Sequence, residues 1–161
     1  MARLTEEMKR VVSEQRLGFV ATVCPDGTPN LSPKGTTAVW DGDHLVFADI
    51  RSPATVKNLR LNPAIEINVV DPIVRKGFRF KGTGRVLEGG PLFSEIREFF
   101  RRERGLNAER VQSIVLIEVT QARPLVSPAY DDGASEQEIS ERWTRYFTAL
   151  RGEEAAEAVS D

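Results

Sequence analysis

The chain has 161 residues, of which 40% are hydrophobic and 29% charged, a composition typical of one soluble globular domain with a single core. Its 22 Lys and Arg and 24 Asp and Glu give a formal net charge of −2, which removes any general attraction to nucleic acid. Its apolar runs are far shorter than the roughly 20 residues of a membrane-spanning helix. We therefore expect neither nucleic acid nor a membrane as a partner.

The scarcity of reactive side chains narrows the chemistry further. His44 and Cys24 are the only histidine and cysteine, so one chain cannot build a zinc site from these residue types or an internal disulfide. His44 could serve a serine hydrolase as its base, but it lies where a turn rich in Asp and Gly enters a strand, and we interpret it as structural. The acidic opening, Met1 to Glu7, lacks the apolar segment of a signal peptide, so we expect a cytoplasmic location.

The first half of the chain predicts two helices and three strands. Apolar residues recur at helical spacing over residues 5–16, with Thr5 as a cap. Strands are predicted over residues 18–24, 29–40 and 44–49, because turn residues separate these runs. Ser52 and Pro53 then begin a helix that ends before Pro63.

The second half predicts three more strands and two helices. Strands over residues 64–70 and 77–87 follow, and Gly82 inside the second indicates a bulge or the close approach of another segment. A helix over residues 92–105 precedes a buried strand over 113–119. The last helix, residues 136–150, begins with a capping box of Ser135 and Glu138, and we expect the acidic tail, residues 153–161, to be frayed.

Six short strands in meander order, with helices between and beside them, predict a mainly β, α+β fold built on a six-stranded antiparallel barrel. Side chains fill the interior of so small a barrel. A sizeable ligand must therefore lie outside it or at a subunit interface.

The helix beginning at Ser52 is the first candidate site. A helix start presents unpaired N–H groups and a partial positive charge. Ser52 and Thr55 add hydroxyls, and Arg51 and Lys57 add cations, which together suit a phosphate. A Ser-Pro pair also begins many ordinary helices, so the spacing alone leaves both interpretations open.

The strand over residues 29–40 carries the second candidate site. Alternation places four polar side chains on one face: Asn30, Ser32, Lys34 and Thr36. Such a face can bind a planar, hydrogen-bonding ligand, and Pro33 and Gly35 indicate an edge or bulged strand that exposes its main chain. An ordinary solvent-facing strand would show the same pattern.

Residues 75–81 alternate basic and aromatic side chains. Because the whole chain is slightly acidic, these cations are better suited to pairing with acidic helices, lining a dimer interface or holding the phosphate of a small ligand. Trp40 and Trp143 could stack on a ring, although the helical stripe that contains Trp143 favours the core.

Taken together, these segments resemble the FMN-binding split β-barrel family, which is related to pyridoxamine 5'-phosphate oxidase. The resemblance spans Met8 to Pro124 and depends on the order and spacing of the initial helix and of residues 18–23, 27–35, 55–59 and 80–84. It implies an FMN-binding split-barrel domain over residues 1–130, with a C-terminal helix and acidic tail, residues 131–161, in the same single domain. It also implies a homodimer with FMN at the subunit interface.

By this resemblance, three groups of residues hold FMN. Residues beside the isoalloxazine ring and ribityl chain are Ser32, Lys34, Gly35, Thr36, Ala48, Asp49 and Ile50. Residues at the phosphate are Ser52, Thr55, Lys57 and Asn58, in agreement with the argument from the helix start. Residues from the partner subunit are Lys76 and Phe78, with Arg79 and Trp143 as further candidates. Lys34, near the pyrimidine edge, would stabilise negative charge on reduced flavin.

The vitamin oxidase itself has a C-terminal arginine and histidine that bind the substrate phosphate, whereas the only histidine here is His44, so we do not expect pyridoxamine phosphate oxidation. The leading hypothesis is an FMN-dependent oxidoreductase of the flavin-reductase type, with a small-molecule electron donor and acceptor, because the flavin itself carries such chemistry. A flavin carrier or sensor without turnover is one alternative on this fold. Another is a deazaflavin-dependent reductase, whose long acidic cofactor suits the cations Arg51, Lys57, Arg60 and Lys76.

Overall fold

The computed structural model describes residues 3–158. Its helices are α1 Glu6–Gln15, α2 Pro53–Leu61, α3 Pro91–Arg104 and α4 Glu136–Ala158. Its strands are β1 Gly18–Val23, β2 Pro29–Lys34, β3 Ala38–Val39, β4 His44–Asp49, β5 Ala64–Asp71, β6 Lys76–Leu87 and β7 Ser113–Val126. Short 3-10 helices span Ala108–Arg110 and Pro128–Tyr130. In this described part of the chain, no helix combines the length and the apolar character needed to cross a membrane.

The seven strands form one antiparallel sheet in the order β2-β1-β5-β6-β7-β4-β3. Strands β2 and β3 are its two edges, yet only Gly35, Thr36 and Thr37 connect them along the chain. Because the four Cα–Cα steps from Lys34 to Ala38 span at most about 14 Å, the sheet has to curl until its edges approach each other. The result is a half-barrel with four flanking helices, which confirms the predicted split-barrel α+β class.

The prediction of six strands in meander order is wrong. The predicted strand over residues 29–40 is two strands, of which β2 pairs with β1 and β3 pairs with β4. Threonine side chains bond to the main chain at the break: the Thr36 hydroxyl accepts from the N–H of Ala48 at 3.0 Å, and the Thr37 hydroxyl donates to the carbonyl of Lys34 at 2.8 Å. The chain therefore passes from one edge of the sheet to the other, and β1 pairs with β5 on its second side.

Two predicted elements end later than expected. Strand β7 runs to Val126 instead of residue 119, because its second half pairs with the first half of β6. Helix α4 runs to Ala158 instead of residue 150, through part of the acidic tail expected to be frayed. Residues 159–161 of that tail lie outside the described residues. The predicted capping box is confirmed, since the Ser135 hydroxyl accepts from the N–H of Glu138 at 3.2 Å and the Glu138 carboxylate accepts from the N–H of Ser135 at 2.8 Å.

Apolar side chains form two clusters on opposite faces of β4 and β7. The barrel interior is filled by side chains that include Phe47, Phe80 and Ile117. On the outer face, Phe93 and Phe100 of α3 cover the same two strands. Because the interior is occupied, a bound molecule has to lie on the outside of the barrel.

The irregularity predicted inside β6 is confirmed. The register of β6 against β7 shifts between Lys81 and Gly82, leaving Thr120 without an opposite residue. A Cβ atom on Gly82 would lie 2.1 Å from the carbonyl oxygen of Glu118. The close approach of the two backbones at this bulge thus requires glycine.

Candidate functional site

The first two candidate sites of the sequence analysis come together at one end of the barrel. The bend between β2 and β3, the last residue of β4 and the first turn of α2 meet there. The Thr36 hydroxyl fixes the bend through two hydrogen bonds with the main chain of Ala48: it accepts from the N–H at 3.0 Å and donates to the carbonyl at 3.2 Å. Gly35, in the same bend, is exposed and has open space around it.

The ammonium group of Lys34 is the centre of this site. Its side chain is buried, and Nζ donates to the hydroxyls of Ser32 at 2.6 Å and of Ser52 at 2.8 Å. Burial lowers the pKa of Lys34, and the negative charge of Asp49 offsets part of this effect. Among the described residues, no carboxylate oxygen lies within 4 Å of Nζ. The direct hydrogen-bond partners of the cation are thus neutral hydroxyls, and the charge of Asp49 acts on it from a greater distance.

Asp49 lies beneath this lysine and binds the start of α2. Its Oδ1 accepts from the N–H of Ser52 at 2.7 Å, and its Oδ2 accepts from the hydroxyl of Ser113 at 3.1 Å. Both Asp49 and Ser113 are buried. The sequence analysis missed Ser113; the available signal is a polar residue at the start of an otherwise apolar run.

The first turn of α2 keeps its amide groups free within the described structure. Ser52 occupies the N-cap position, but its side chain makes no capping hydrogen bond, because its hydroxyl accepts from Lys34. The N–H groups of Ala54 and Thr55, at the second and third helical positions, therefore have no acceptor within the helix. The Thr55 side chain is buried beside them, while Lys57 is exposed. This combination fits a phosphate group.

Asn58, predicted at the phosphate, anchors the helix in this structure. Its Nδ2 donates to the Thr22 hydroxyl at 3.1 Å and lies 3.6 Å from the sulfur of Cys24. Asn30 donates to the same hydroxyl at 3.3 Å. Thr22, a buried hydroxyl that sequence reasoning missed, thus joins β1, β2 and α2. A role for Asn58 at a phosphate stays a prediction.

Lys76 and Phe78 have other neighbours within the chain. The Nζ of Lys76 lies 2.7 Å from the Glu136 carboxylate and 4.3 Å from the centre of the Tyr130 ring. Phe78 is buried in the barrel core. Both residues line a cavity of about 490 Å³ between α1, the β5–β6 hairpin, the end of β7 and the start of α4. Their predicted contact with a cofactor of the partner subunit is not tested by a single chain.

The other residues predicted to contact the flavin also have defined partners within the chain. Arg79 lies on the outer face of the sheet, 2.9 Å from Glu66. The Trp143 ring is half-buried and is covered by the guanidinium of Arg75, whose central carbon lies 3.4 Å from the ring centre. The carbonyl of Ile50 accepts from the Gln112 side chain at 3.2 Å. Trp143 thus packs against a cation at the edge of the fold, not in the main core.

His44 is paired with a carboxylate of its own turn, in keeping with the structural interpretation from the sequence. Its Nδ1 lies 2.9 and 3.0 Å from the two carboxylate oxygens of Asp41. His44 begins β4 and Asp49 ends it, which separates the imidazole from the Lys34 site by about 17 Å of extended chain. In the described residues, no three His, Cys, Asp or Glu side chains are close enough to hold a metal ion. The Lys34 site, by contrast, presents hydrogen-bond donors of the kind that suit an anion.

Comparison with known proteins gives a family match and related folds. The model of the family described as Pyridoxamine 5'-phosphate oxidase matches residues 4–125. The structure of HupZ from Group A Streptococcus is 29% identical in sequence and has a TM-score of 0.69, covering 77% of this chain and 95% of that chain. The residues matched by the family model include all of the Lys34 site, whereas α4 lies beyond them.

Two further structures share the fold at lower sequence identity. An FMN-binding protein from Syntrophomonas wolfei subsp. wolfei is 13% identical with a TM-score of 0.63, covering 76% of this chain and 86% of that chain. A protein named F420 Reductase is 24% identical with a TM-score of 0.59, covering 74% of this chain and 98% of that chain. At these identities, the likeness is one of fold.

Proposed function

Because the chain belongs to the pyridoxamine 5'-phosphate oxidase family, we propose that it is an FMN-dependent oxidoreductase of the flavin-reductase type. Its substrates would be a small-molecule electron donor and a small-molecule electron acceptor. The observation that carries the proposal is the buried ammonium of Lys34, which lies beside the free amide end of α2.

These residues fit FMN. A phosphate would accept from the N–H groups of Ala54 and Thr55 and from the Thr55 hydroxyl, with Lys34 and Lys57 supplying positive charge. This proposal places the Lys34 ammonium at the phosphate, and not at the pyrimidine edge implied by the resemblance, because it bonds to Ser52 at the start of α2. The ribityl chain and ring would then extend along the β2–β3 bend. When bound, FMN supplies two-electron redox chemistry, so the protein has to bind, orient and shield it. This division agrees with a site made mainly of hydrogen-bond donors.

We also propose a homodimer in which the partner subunit places Lys76 and Phe78 beside the flavin. The outer face of β1 and β2 exposes Phe19 by 44% and Leu31 by 67%, and β2 is an edge strand. Covering these side chains and this edge with a second copy is favourable. Light scattering on the purified protein tests this proposal, and a monomer at micromolar concentration would refute it.

We propose that pyridoxamine phosphate is not the substrate. By the resemblance, a substrate phosphate at the flavin would need the C-terminal arginine and histidine with which the vitamin oxidase binds it. The only histidine here pairs with Asp41 at the far end of β4 from Lys34.

A deazaflavin reductase is the second candidate, because the fold is shared with F420 Reductase and because Arg51 and Lys57 are exposed beside the start of α2. The basic groove predicted from the sequence is weaker than expected, however. Arg60 is paired with Glu88, and Lys76 is paired with Glu136.

The first experiment is the visible spectrum of the purified protein, with mass analysis of any released cofactor. FMN at one per chain, together with oxidation of reduced nicotinamide faster than by free FMN, is the expected result. Bound flavin without that acceleration would indicate a carrier or sensor. Weak FMN binding with tight deazaflavin binding would refute the FMN assignment in favour of the second candidate.

A further inference from the structure

The candidate site contains the two buried charges of the described chain. Among residues 3–152, Lys34 and Asp49 are the only charged side chains that are buried, with 6% and 4% of their surface exposed. They have opposite signs and are joined through one residue, since Ser52 accepts from Lys34 through its hydroxyl and donates to Asp49 through its N–H. The buried carboxylate therefore offsets part of the lysine's positive charge at the point where an anion would bind.

Asp49 also uses part of the positive end of α2. Its carboxylate accepts the N–H of the N-cap residue, which is the position that an anion at a helix start favours. Ser113 holds the carboxylate there by donating to its other oxygen. What remains for a ligand is the N-terminal partial charge of α2, about half an elementary charge, and the charge of Lys34 as reduced by the nearby Asp49.

Other charged groups near the pair lie farther out. Arg51 and Lys57 are exposed beside the start of α2, so water screens them. Arg104 of α3 lies behind the β2–β3 bend and donates to the carbonyl of Thr37 at 3.4 Å. Strand β7 contributes the neutral hydroxyl of Ser113 on its side of the carboxylate.

We propose that Asp49 is a specificity-determining residue that makes this site prefer a singly charged phosphate to a doubly charged one. The suited ligand is either a phosphodiester or a phosphomonoester that retains one proton. A second negative charge on the ligand would be repelled by the buried carboxylate in surroundings of reduced dielectric constant. This inference rests on the proposed binding of a flavin phosphate at α2.

The test compares three flavins that differ at the phosphate end of the ribityl chain: FMN, riboflavin 4',5'-cyclic phosphate and riboflavin. The cyclic diester keeps one negative charge at every pH used, whereas the FMN phosphate passes from one charge to two near pH 6. Quenching of flavin fluorescence gives each Kd at pH 6 and pH 8. The ratio of the FMN Kd to the cyclic-diester Kd removes every effect of pH that the two ligands share.

In the native protein, we expect the ratio of the FMN Kd to the cyclic-diester Kd to rise by about tenfold or more from pH 6 to pH 8. Asp49→Asn keeps the size of the side chain and removes its charge, and it should abolish most of this rise. Ser113→Ala is the matched control, because it removes a hydrogen bond to the carboxylate but keeps the charge, and it should preserve the rise.

A native ratio that does not change with pH would overturn the proposal, as would an unchanged rise in Asp49→Asn. Failure of the proposed function looks different. In that case none of the three flavins would bind, or riboflavin would bind as tightly as both phosphates at either pH.

Discussion

Replacing Lys34 by methionine separates the contribution of this residue to folding from its contribution to binding. The side chain is buried and its ammonium contacts the hydroxyls of Ser32 and Ser52. Burying an ammonium without a carboxylate in direct contact costs several kcal/mol, whereas its two hydrogen bonds to hydroxyls return about 1.5–3 kcal/mol each. Methionine fills a similar volume without the desolvation cost. We therefore expect the free energy of unfolding of Lys34→Met to lie between about 1 kcal/mol below and about 2 kcal/mol above that of the native protein.

The same substitution should weaken the binding of FMN. Loss of a charged hydrogen-bond donor to a phosphate corresponds to about 1.5–3 kcal/mol, or roughly 10- to 150-fold in the Kd for FMN. Riboflavin lacks the phosphate, and its Kd should change by about threefold or less. Urea unfolding of the flavin-free protein and fluorescence titration with both flavins measure the two quantities. A variant destabilised by more than about 3 kcal/mol, or one that loses riboflavin as strongly as FMN, would refute this reasoning.

The same lysine predicts a pH dependence of stability. Burial lowers the pKa of Lys34 in the folded protein below the value of 10.5 that it has when unfolded. Between these two pKa values the unfolded state binds more protons than the folded state, so the free energy of unfolding rises with pH across that interval. Lys34→Met should remove this rise from the flavin-free protein. An identical pH profile for the variant would contradict the direction assigned to the pKa.

Three other predictions address the rest of the structure. Thr55→Ala combined with Lys57→Ala should weaken FMN about tenfold or more while leaving riboflavin within about threefold, and equal losses for the two flavins would contradict a phosphate at the start of α2. Gly82→Ala should lower the free energy of unfolding by about 2–3 kcal/mol, because its Cβ would overlap the backbone of β7; Gly89→Ala, where nothing lies within 4 Å, is the control in the same urea experiment. Trp143→Ala removes the stack on a guanidinium, worth about 1–2 kcal/mol, and should speed hydrogen exchange of the α4 amides; unchanged exchange would show that α4 is held by other contacts.

Local signals in the sequence predict the helices and most strands well, but they predict the order of the strands in the sheet less well. Capping residues and apolar spacing predict all four helices, and the start of α2 at Pro53 is correct. The division of residues 29–40 into two strands depends on a hydrogen bond between Thr36 and the main chain of Ala48, 12 residues away, and on one from Thr37 to the Lys34 carbonyl across the bend. A short window of sequence does not display these contacts. The sheet order follows from this division, so the predicted meander fails with it.

The candidate site shows the same limit. Alternation along β2 correctly places Ser32 and Lys34 on one face, and the Ser52 helix start is correct, but their meeting at 2.8 Å is a product of the curled sheet. Ser113 is 64 residues from the carboxylate that it contacts. A buried partner this distant along the chain has no periodic signal in the sequence, and only the three-dimensional structure reveals it.

The two ends of helix α2 differ in how firmly they are attached to the barrel. Its second half is fixed to the barrel, through the buried Asn58 at Thr22 and through Leu59, which lies 3.1 Å from the position that a Cβ on Gly84 would occupy. Its first turn is the part that we propose to contact a phosphate. Substitutions in that turn can therefore alter which anion is accepted without loosening the helix. A lineage carrying this fold could exchange one phosphate-bearing cofactor for another within a single helical turn, while the attachment of the helix stays intact.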